Sequence, residues 1–171
     1  MTLSLGHGVE LPYAHPAVAG VRALAGVLAP RGQWSERDLA RLTRQFVTRA
    51  AEPLYLAARF DADDRWHLPL ALTDEVEVWL LTWTPGQTTR PHDHGGASGS
   101  YTVVDGVLSE TWRDGPGPTH RSVRPHGTGS AFGPDRMHVV ANRGSRNATS
   151  VHAYSPPLLP VGETLPLDEP A

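Results

Sequence analysis

From Leu68 to Tyr154 the chain is divided into short apolar runs, each closed by turn-forming residues. Leu68–Leu72, Val76–Trp83, Ser100–Val104 and Val107–Trp112 read as strands, with Thr73-Asp74-Glu75 and Asp105-Gly106 expected as hairpin turns between neighbours. Further strands are expected at His120–Arg124, Gly129–Phe132, Met137–Ala141 and Thr149–Tyr154. So many short strands at close spacing fold as a barrel or a sandwich. The 17 Gly and 16 Pro among 171 residues supply the turns that such a chain needs.

Upstream the period changes. His15–Ala29 holds Val18, Val21, Leu24, Ala25 and Leu28 at helical spacing, which predicts a first helix stopped by Pro30 and Gly32. Ser35 followed by Asp38 forms a capping pattern, and Leu39, Leu42, Phe46 and Val47 then make one apolar stripe, predicting a second helix of about four turns. The expected layout is one domain over 1–171, with helices within about 15–50, a barrel within about 64–158 and a Pro-rich surface tail over 159–171.

Composition removes several function classes. All 15 basic residues are Arg, so lysine Schiff-base chemistry and a P-loop lysine are unavailable. There is no Cys, hence no disulfide, no thiolate-held metal and no thiol nucleophile, and any metal must be held by His, Asp or Glu. A net charge of −3 and a pI near 6.3 give no general attraction for nucleic acid or anionic membranes. The start has no basic segment leading into an apolar core, and no run of 18 apolar residues occurs, so the expected location is the cytoplasm.

Nine histidines remain as the chemical resource. His92 and His94 bracket Asp93, so in an extended segment both imidazoles share one face and one metal ion could touch both; a pair of exposed loop histidines would carry the same spacing. Gly86 stands six before His92 and Gly106 twelve after His94. This resembles the first cupin motif, Gly-x5-His-x-His-x(3,4)-Glu-x6-Gly, except that Gly99 occupies the position of the Glu. His138, with Asn142 four later and Gly129 and Pro134 before it, resembles the second cupin motif. There the Pro-to-His spacing is one residue short and Arg136 replaces a Gly. The resemblance implies a mainly β cupin fold, a small double-stranded β-helix or jelly-roll barrel preceded by two helices, with His138 as the third ligand. Three neutral imidazoles would leave a divalent metal its full charge and open positions, favouring anionic substrates.

A narrower resemblance rests on Pro91-His92-Asp93-His94-Gly95-Gly96-Ala97-Ser98-Gly99 and on Ser150-Val151-His152-Ala153-Tyr154-Ser155-Pro156-Pro157-Leu158. Both look like the cysteine dioxygenase family in its bacterial form, over about Trp66 to Leu158. That implies mononuclear Fe(II) held by His92, His94 and His138, and oxidation of a small thiol to its sulfinic acid by dioxygen. Spacing alone does not separate Fe from Zn, Mn, Ni or Cu. Ser150, His152 and Tyr154 alternate along one strand and so share a face. In the family the matching residues form a hydrogen-bond relay, which gives Tyr154 a role in orienting the oxygen intermediate or in acid–base work, with His152 fixing its hydroxyl and Ser150 holding His152. Some animal members cross-link a Cys to the tyrosine; Gly99 stands at that position and excludes the crosslink.

One expected residue is missing. Members that use cysteine carry a carboxylate-binding Arg in the strand before the metal segment, two after an aromatic, and Trp66-His67-Leu68 puts Leu68 there. Arg65 is expected on the face opposite Leu68, Arg59 lies further upstream, and Arg90, two before His92, is the substitute that extended geometry favours. Trp34, Trp79, Trp83 and Trp112 are expected as packing residues, and His7, His15, His67, His120 and His126 as surface or locally bonded histidines. Asp61, Asp63 and Asp64 read as a solvated turn. Two other functions share the three-histidine pattern: a zinc or manganese isomerase or hydrolase with a bound water, and a noncatalytic metal- or ligand-binding cupin.

Overall fold

The structure, a computed structural model, describes residues 12–158, so the expected tail and His7 lie outside the described residues. A short strand β1 (Tyr13–Ala14) is followed by α1 (Pro16–Ala19), α2 (Glu36–Arg49) and α3 (Ala51–Ala57). Eight strands follow: β2 (His67–Leu72), β3 (Glu77–Trp83), β4 (Ser98–Asp105), β5 (Val107–Asp114), β6 (His120–Pro125), β7 (Gly129–Phe132), β8 (Arg136–Ala141) and β9 (Ala148–Ser155). They form a six-stranded sheet in the order β1-β2-β3-β9-β4-β7 and a three-stranded sheet in the order β6-β5-β8.

The helix expected over 15–29 is not continuous. Only Pro16–Ala19 is α-helical; a 3₁₀ turn at Arg22–Leu24 and further three-residue turns follow, with Val21 N–H on Val18, Leu24 on Val21 and Val27 on Leu24. Val18, Leu24 and Val27, six and three residues apart, are all buried, and successive tight turns of three residues place them inward instead of an α-helix. Gly26, at φ +74°, turns the chain where an α-helix would have continued. The second helix matches its reading: Ser35 and Asp38 form a reciprocal capping box and Leu39, Leu42, Thr43, Phe46 and Val47 are buried. α3 has no counterpart in the sequence reading, and it contains Pro53. It sits in the first turn of α3, where its missing N–H costs no helical bond.

Two cores result. Val78 and Leu80 of β3 and Val151 and Ala153 of β9 pack outward with Leu39, Leu42, Phe46 and Leu54 under the helices. Trp83, Tyr101, Val103, Leu108, Phe132, Val140 and Ala148 fill the space between the sheets. Thr43 seats α2 by hydrogen bonds to Thr102 (2.8 Å) and Ser100 (3.2 Å) on the outward face of β4. Since β9 is paired on both sides, Tyr154 stands opposite Glu77 and Gly99, and His152 opposite Trp79 and Tyr101, all on the inner face.

Thr73-Asp74-Glu75 does join the antiparallel pair β2 and β3. Asp105-Gly106 does not close a hairpin: β4 pairs with β7 and β9, whereas β5 pairs with β6 and β8. It is a corner that carries the chain from one sheet to the other. Gly106 has φ +78°, and a Cβ there would meet Asn147 O at 2.6 Å. Gly106→Ala should therefore cost roughly 2–4 kcal/mol of stability through left-handed strain plus overpacking, read as a lowered urea midpoint. An unchanged midpoint would contradict this account of the corner.

Candidate metal centre

His92 and His138 meet across a two-residue antiparallel bridge, each backbone N–H donating to the other's carbonyl (3.1 and 3.0 Å). That bridge ties the segment before β4 to β8 and sets the two side chains beside each other. Asp93 caps the following turn through Gly95 N–H (2.9 Å), and His94 folds inward to 5% exposure. The three rings lie 4.7–5.0 Å apart centre to centre, and one nitrogen from each falls within 4.8 Å of the others. Among the described residues they form a group that could hold a metal ion.

The ring nitrogens show how well an ion would fit. His92 Nδ1–H donates to Arg90 O (2.9 Å) and His138 Nδ1–H to Glu110 Oε1 (3.0 Å), which leaves Nε2 of each as a bare donor atom. Both ring nitrogens of His94 are buried with no hydrogen-bond partner among the described residues, a costly state that a metal bond would relieve. Burial, with the neighbouring His138, lowers His92 to about 4; burial, with His138 and His92, lowers His94 to about 2. Neutral imidazoles are the form that binds metal.

Glu110 has no place in the motif reading. It is fully buried on β5, accepting from His138, from Tyr101 OH (3.1 Å), from Arg124 (3.2 Å) and from Arg136 (3.4 Å). Burial pushes its pKa up, but the hydrogen bond and charge of His138 and the two guanidinium groups outweigh that and lower it. The only sequence signal is an acid on the buried face of a strand, two after Leu108.

Ser150, His152 and Tyr154 are brought together as expected by alternation. Ser150 Oγ is 2.8 Å from His152 Nε2, and His152 Nδ1 is 3.2 Å from Tyr154 OH. The Tyr154 ring stacks on His94 at 5.1 Å, joining the relay to the three histidines. Burial, with the Glu77 carboxylate, raises the Tyr154 hydroxyl above its ordinary range, and burial drives His152 well below its own. Trp83, read as packing, donates its Nε1–H to Ser150 Oγ (2.9 Å). Gly99 sits where no side chain fits: a Cβ would lie 2.5 Å from the Phe132 ring and 3.0 Å from Tyr154. Phe132 and Tyr154 thus fill the space that the motif's Glu would need.

Arg90 is exposed, and what it brings to the centre is the carbonyl that orients His92. Arg65 lies closer to the chemistry. Its Cζ is 4.6 Å from the Trp83 ring centroid, and its charge lowers the pKa values of His92, His152 and Tyr154. Leu68 packs on the core beneath the helices, so the face opposite it is the barrel interior, which is where Arg65 belongs.

Known proteins resemble this chain in sequence pattern and fold. The sequence pattern of the family Cysteine dioxygenase type I matches residues 37–162, well over half of the chain and including all of α2 but its first residue. The chain belongs to that family. TT1209 from Thermus thermophilus is similar at TM-score 0.53 and 20% identity, over 60% of this chain and 93% of its own. An uncharacterized Klebsiella pneumoniae protein with a double-stranded β-helix domain gives TM-score 0.50 and 18% identity, over 66% and 91%. An oxalate oxidase bound to the substrate analogue glycolate gives 0.53 and 19%, over 64% and 60%. These likenesses establish the mainly β cupin fold. No described helix is long and apolar enough to cross a membrane.

Two outcomes test the centre. Glu110→Gln should weaken metal binding about 10- to 100-fold in a chelator competition, because His138 exchanges a charged carboxylate acceptor for a neutral amide; unchanged affinity would contradict the role given to Glu110. In the metal-free protein, His92 and His94 take protons less readily than in the unfolded chain, whose histidines titrate near 6.5. The unfolded state therefore binds more protons below that pH, and stability should fall as pH drops from about 6.5 through about 4. Urea midpoints across that range check the sign, and a midpoint that rises on acidification would refute it.

Proposed function

We propose that the protein is a mononuclear non-heme iron(II) thiol dioxygenase, converting a small thiol acid to its sulfinic acid. The reaction is R–SH + O₂ → R–SO₂H: sulfur gives up four electrons and both oxygen atoms accept them. The observation that carries this reading is a centre with three imidazoles on one side and a hydroxyl–imidazole–phenol relay on the other, in a chain of the cysteine dioxygenase type I family. His92, His94 and His138 would hold the iron. Ferrous iron, when bound, supplies the open coordination positions and the electron donation that let dioxygen react with a thiolate.

The remaining work falls to the protein. Three neutral ligands leave the positive charge of the metal uncompensated, so the centre favours a substrate that arrives as an anion. Tyr154 keeps its proton, since burial and Glu77 both oppose its ionisation, and its ring stacks on His94. Phe132, Tyr101 and the inner face of β9 exclude water from the reacting atoms. Arg65 would hold the substrate carboxylate, ahead of Arg90, because its guanidinium is stacked on the inner wall at Trp83. The thiol substrate and dioxygen are thus the partners; nothing in this reading calls for nucleic acid or a membrane.

Oxygen uptake by iron-loaded protein with cysteine, 3-mercaptopropionate and cysteamine, with sulfinate quantified, tests the reading. One oxygen consumed per sulfinate formed is expected with at least one carboxylate-bearing thiol. Stoichiometric iron with no thiol-dependent uptake would overturn it. Arg65→Met should lower kcat/KM for the two thiol acids by about 10- to 150-fold and leave cysteamine little changed, while Arg90→Met should have a smaller effect. Equal losses on all three thiols would assign Arg65 to the fold instead.

A further inference from the structure

Among the described residues three tryptophans are buried, and two of them put the indole N–H on an acceptor: Trp34 on Glu75 Oε2 (3.0 Å) and Trp83 on Ser150 Oγ (2.9 Å). Trp79 does not. It is 3% exposed, and its Nε1–H is buried with no hydrogen-bond partner among the described residues. An indole N–H can only donate, and a buried donor left unmet is costly, so native structures rarely keep one without a use. Its place in the fold shows where this donor is available. Val78 and Leu80 pack outward under the helices, so Trp79 between them faces the barrel interior, directly across from His152 on β9 and Pro69 on β2. Both ring nitrogens of His152 are engaged, with Ser150 and Tyr154, and a proline side chain has no acceptor. The two cross-strand neighbours therefore leave the N–H unmet, in the same row of inner side chains as the relay.

The acceptor that fits this interior is an anionic oxygen. The charge of Arg65 is felt at His92, His152 and Tyr154, and a metal held by three neutral imidazoles would add to it. We propose that Trp79 is a specificity-determining residue whose indole N–H donates to the carboxylate of the thiol substrate. The proposal rests on the thiol dioxygenase reading and narrows it to a thiol that brings its own oxygen acceptor. A thiol whose second group is an ammonium has only hydrogens to offer there. Arg65 and Trp79 divide the work. A guanidinium charge attracts an anion over a long range, whereas one N–H on a rigid ring, in a strand paired on both sides, rewards a single direction of approach.

The test reads the indole hydrogen directly and needs no turnover. Protein labelled with 15N-tryptophan and loaded with diamagnetic Zn(II) is titrated without oxygen with 3-mercaptopropionate, cysteine and cysteamine. The Trp79 indole signal is assigned by its loss in Trp79→Phe or, should that variant not fold, by its nuclear Overhauser contact with the His67 ring, centred 6.0 Å from the Trp79 ring. The expected result is a downfield shift of the Trp79 indole proton, with slower solvent exchange, on adding either thiol acid and not on adding cysteamine. In Trp79→Phe the affinity for 3-mercaptopropionate should fall about 10- to 100-fold while that for cysteamine changes little. A Trp79 proton indifferent to thiol acids that bind would overturn the proposal and leave the indole to a buried water, and an equal response to cysteamine would overturn it too. Failure of both thiol acids to bind would remove the proposal together with the dioxygenase reading. A shifted indole in protein that, loaded with iron, oxidises no thiol would keep the carboxylate contact and remove the dioxygenase; sulfinate formed with an unmoved indole would do the reverse.

Discussion

A carboxylate buried between the two sheets is the constraint on which the centre depends. Removing Glu110 from water costs several kcal/mol, and the cost is offset only if its lone pairs are met. Here they are met by an imidazole from β8, a phenol from β4, and guanidinium groups from β6 and β8. Arg136 is in turn held by Asp114 at 2.6 Å. One side chain on the small sheet thus joins to the large sheet through Tyr101 and fixes the tautomer of His138. Cutting any one of these bonds would strand a charge or a donor in the core, so the orientation of the ring is strongly determined.

The rest of the chemistry is mounted on β9, which is hydrogen-bonded on both sides by β3 and β4. A strand in the middle of a sheet has little freedom to shift, and that is what a relay at 2.8 and 3.2 Å requires. Its outward residues, Val151 and Ala153, anchor it under the helices while Ser150, His152 and Tyr154 occupy the inner face. Helix α2 therefore contributes to function without touching the centre: Thr43 and its apolar neighbours hold the sheet that carries the relay. The charges that reach the relay, from Arg65 and Glu77, act on Tyr154 with opposite sign.

What the sequence discloses is mostly what alternation can report. The eight strands, the shared face of Ser150, His152 and Tyr154, and the three histidines follow from spacing and family pattern, because a period of two fixes which residues point together. Partnership between distant strands has no such signal. Asp105-Gly106 has the composition of a hairpin turn and is instead a corner between sheets, a distinction that depends on where β7, β8 and β9 return. Glu110 and Trp83 are hidden for the same reason: an inward acid and a packing tryptophan acquire roles only through bonds to His138 and Ser150, 28 and 67 residues away. Alternation sets Arg65 correctly on the face opposite Leu68, yet it orders the two faces without saying which is the interior, and so it favours Arg90 at the centre. At 15–29 a run of tight turns stands where helical spacing leads one to expect a helix: it buries Val18 and Leu24 of the expected stripe together with Val27 outside it, and leaves Ala25 exposed.

Isotope labelling tests whether these residues direct both atoms of dioxygen onto the sulfur of a small thiol acid. Iron-loaded protein is supplied with ¹⁸O₂ in ordinary water, and the sulfinate formed from cysteine or 3-mercaptopropionate is weighed by mass spectrometry. The expected product carries two ¹⁸O atoms. Sulfinate carrying oxygen from water, or thiol consumed only to disulfide, would contradict it.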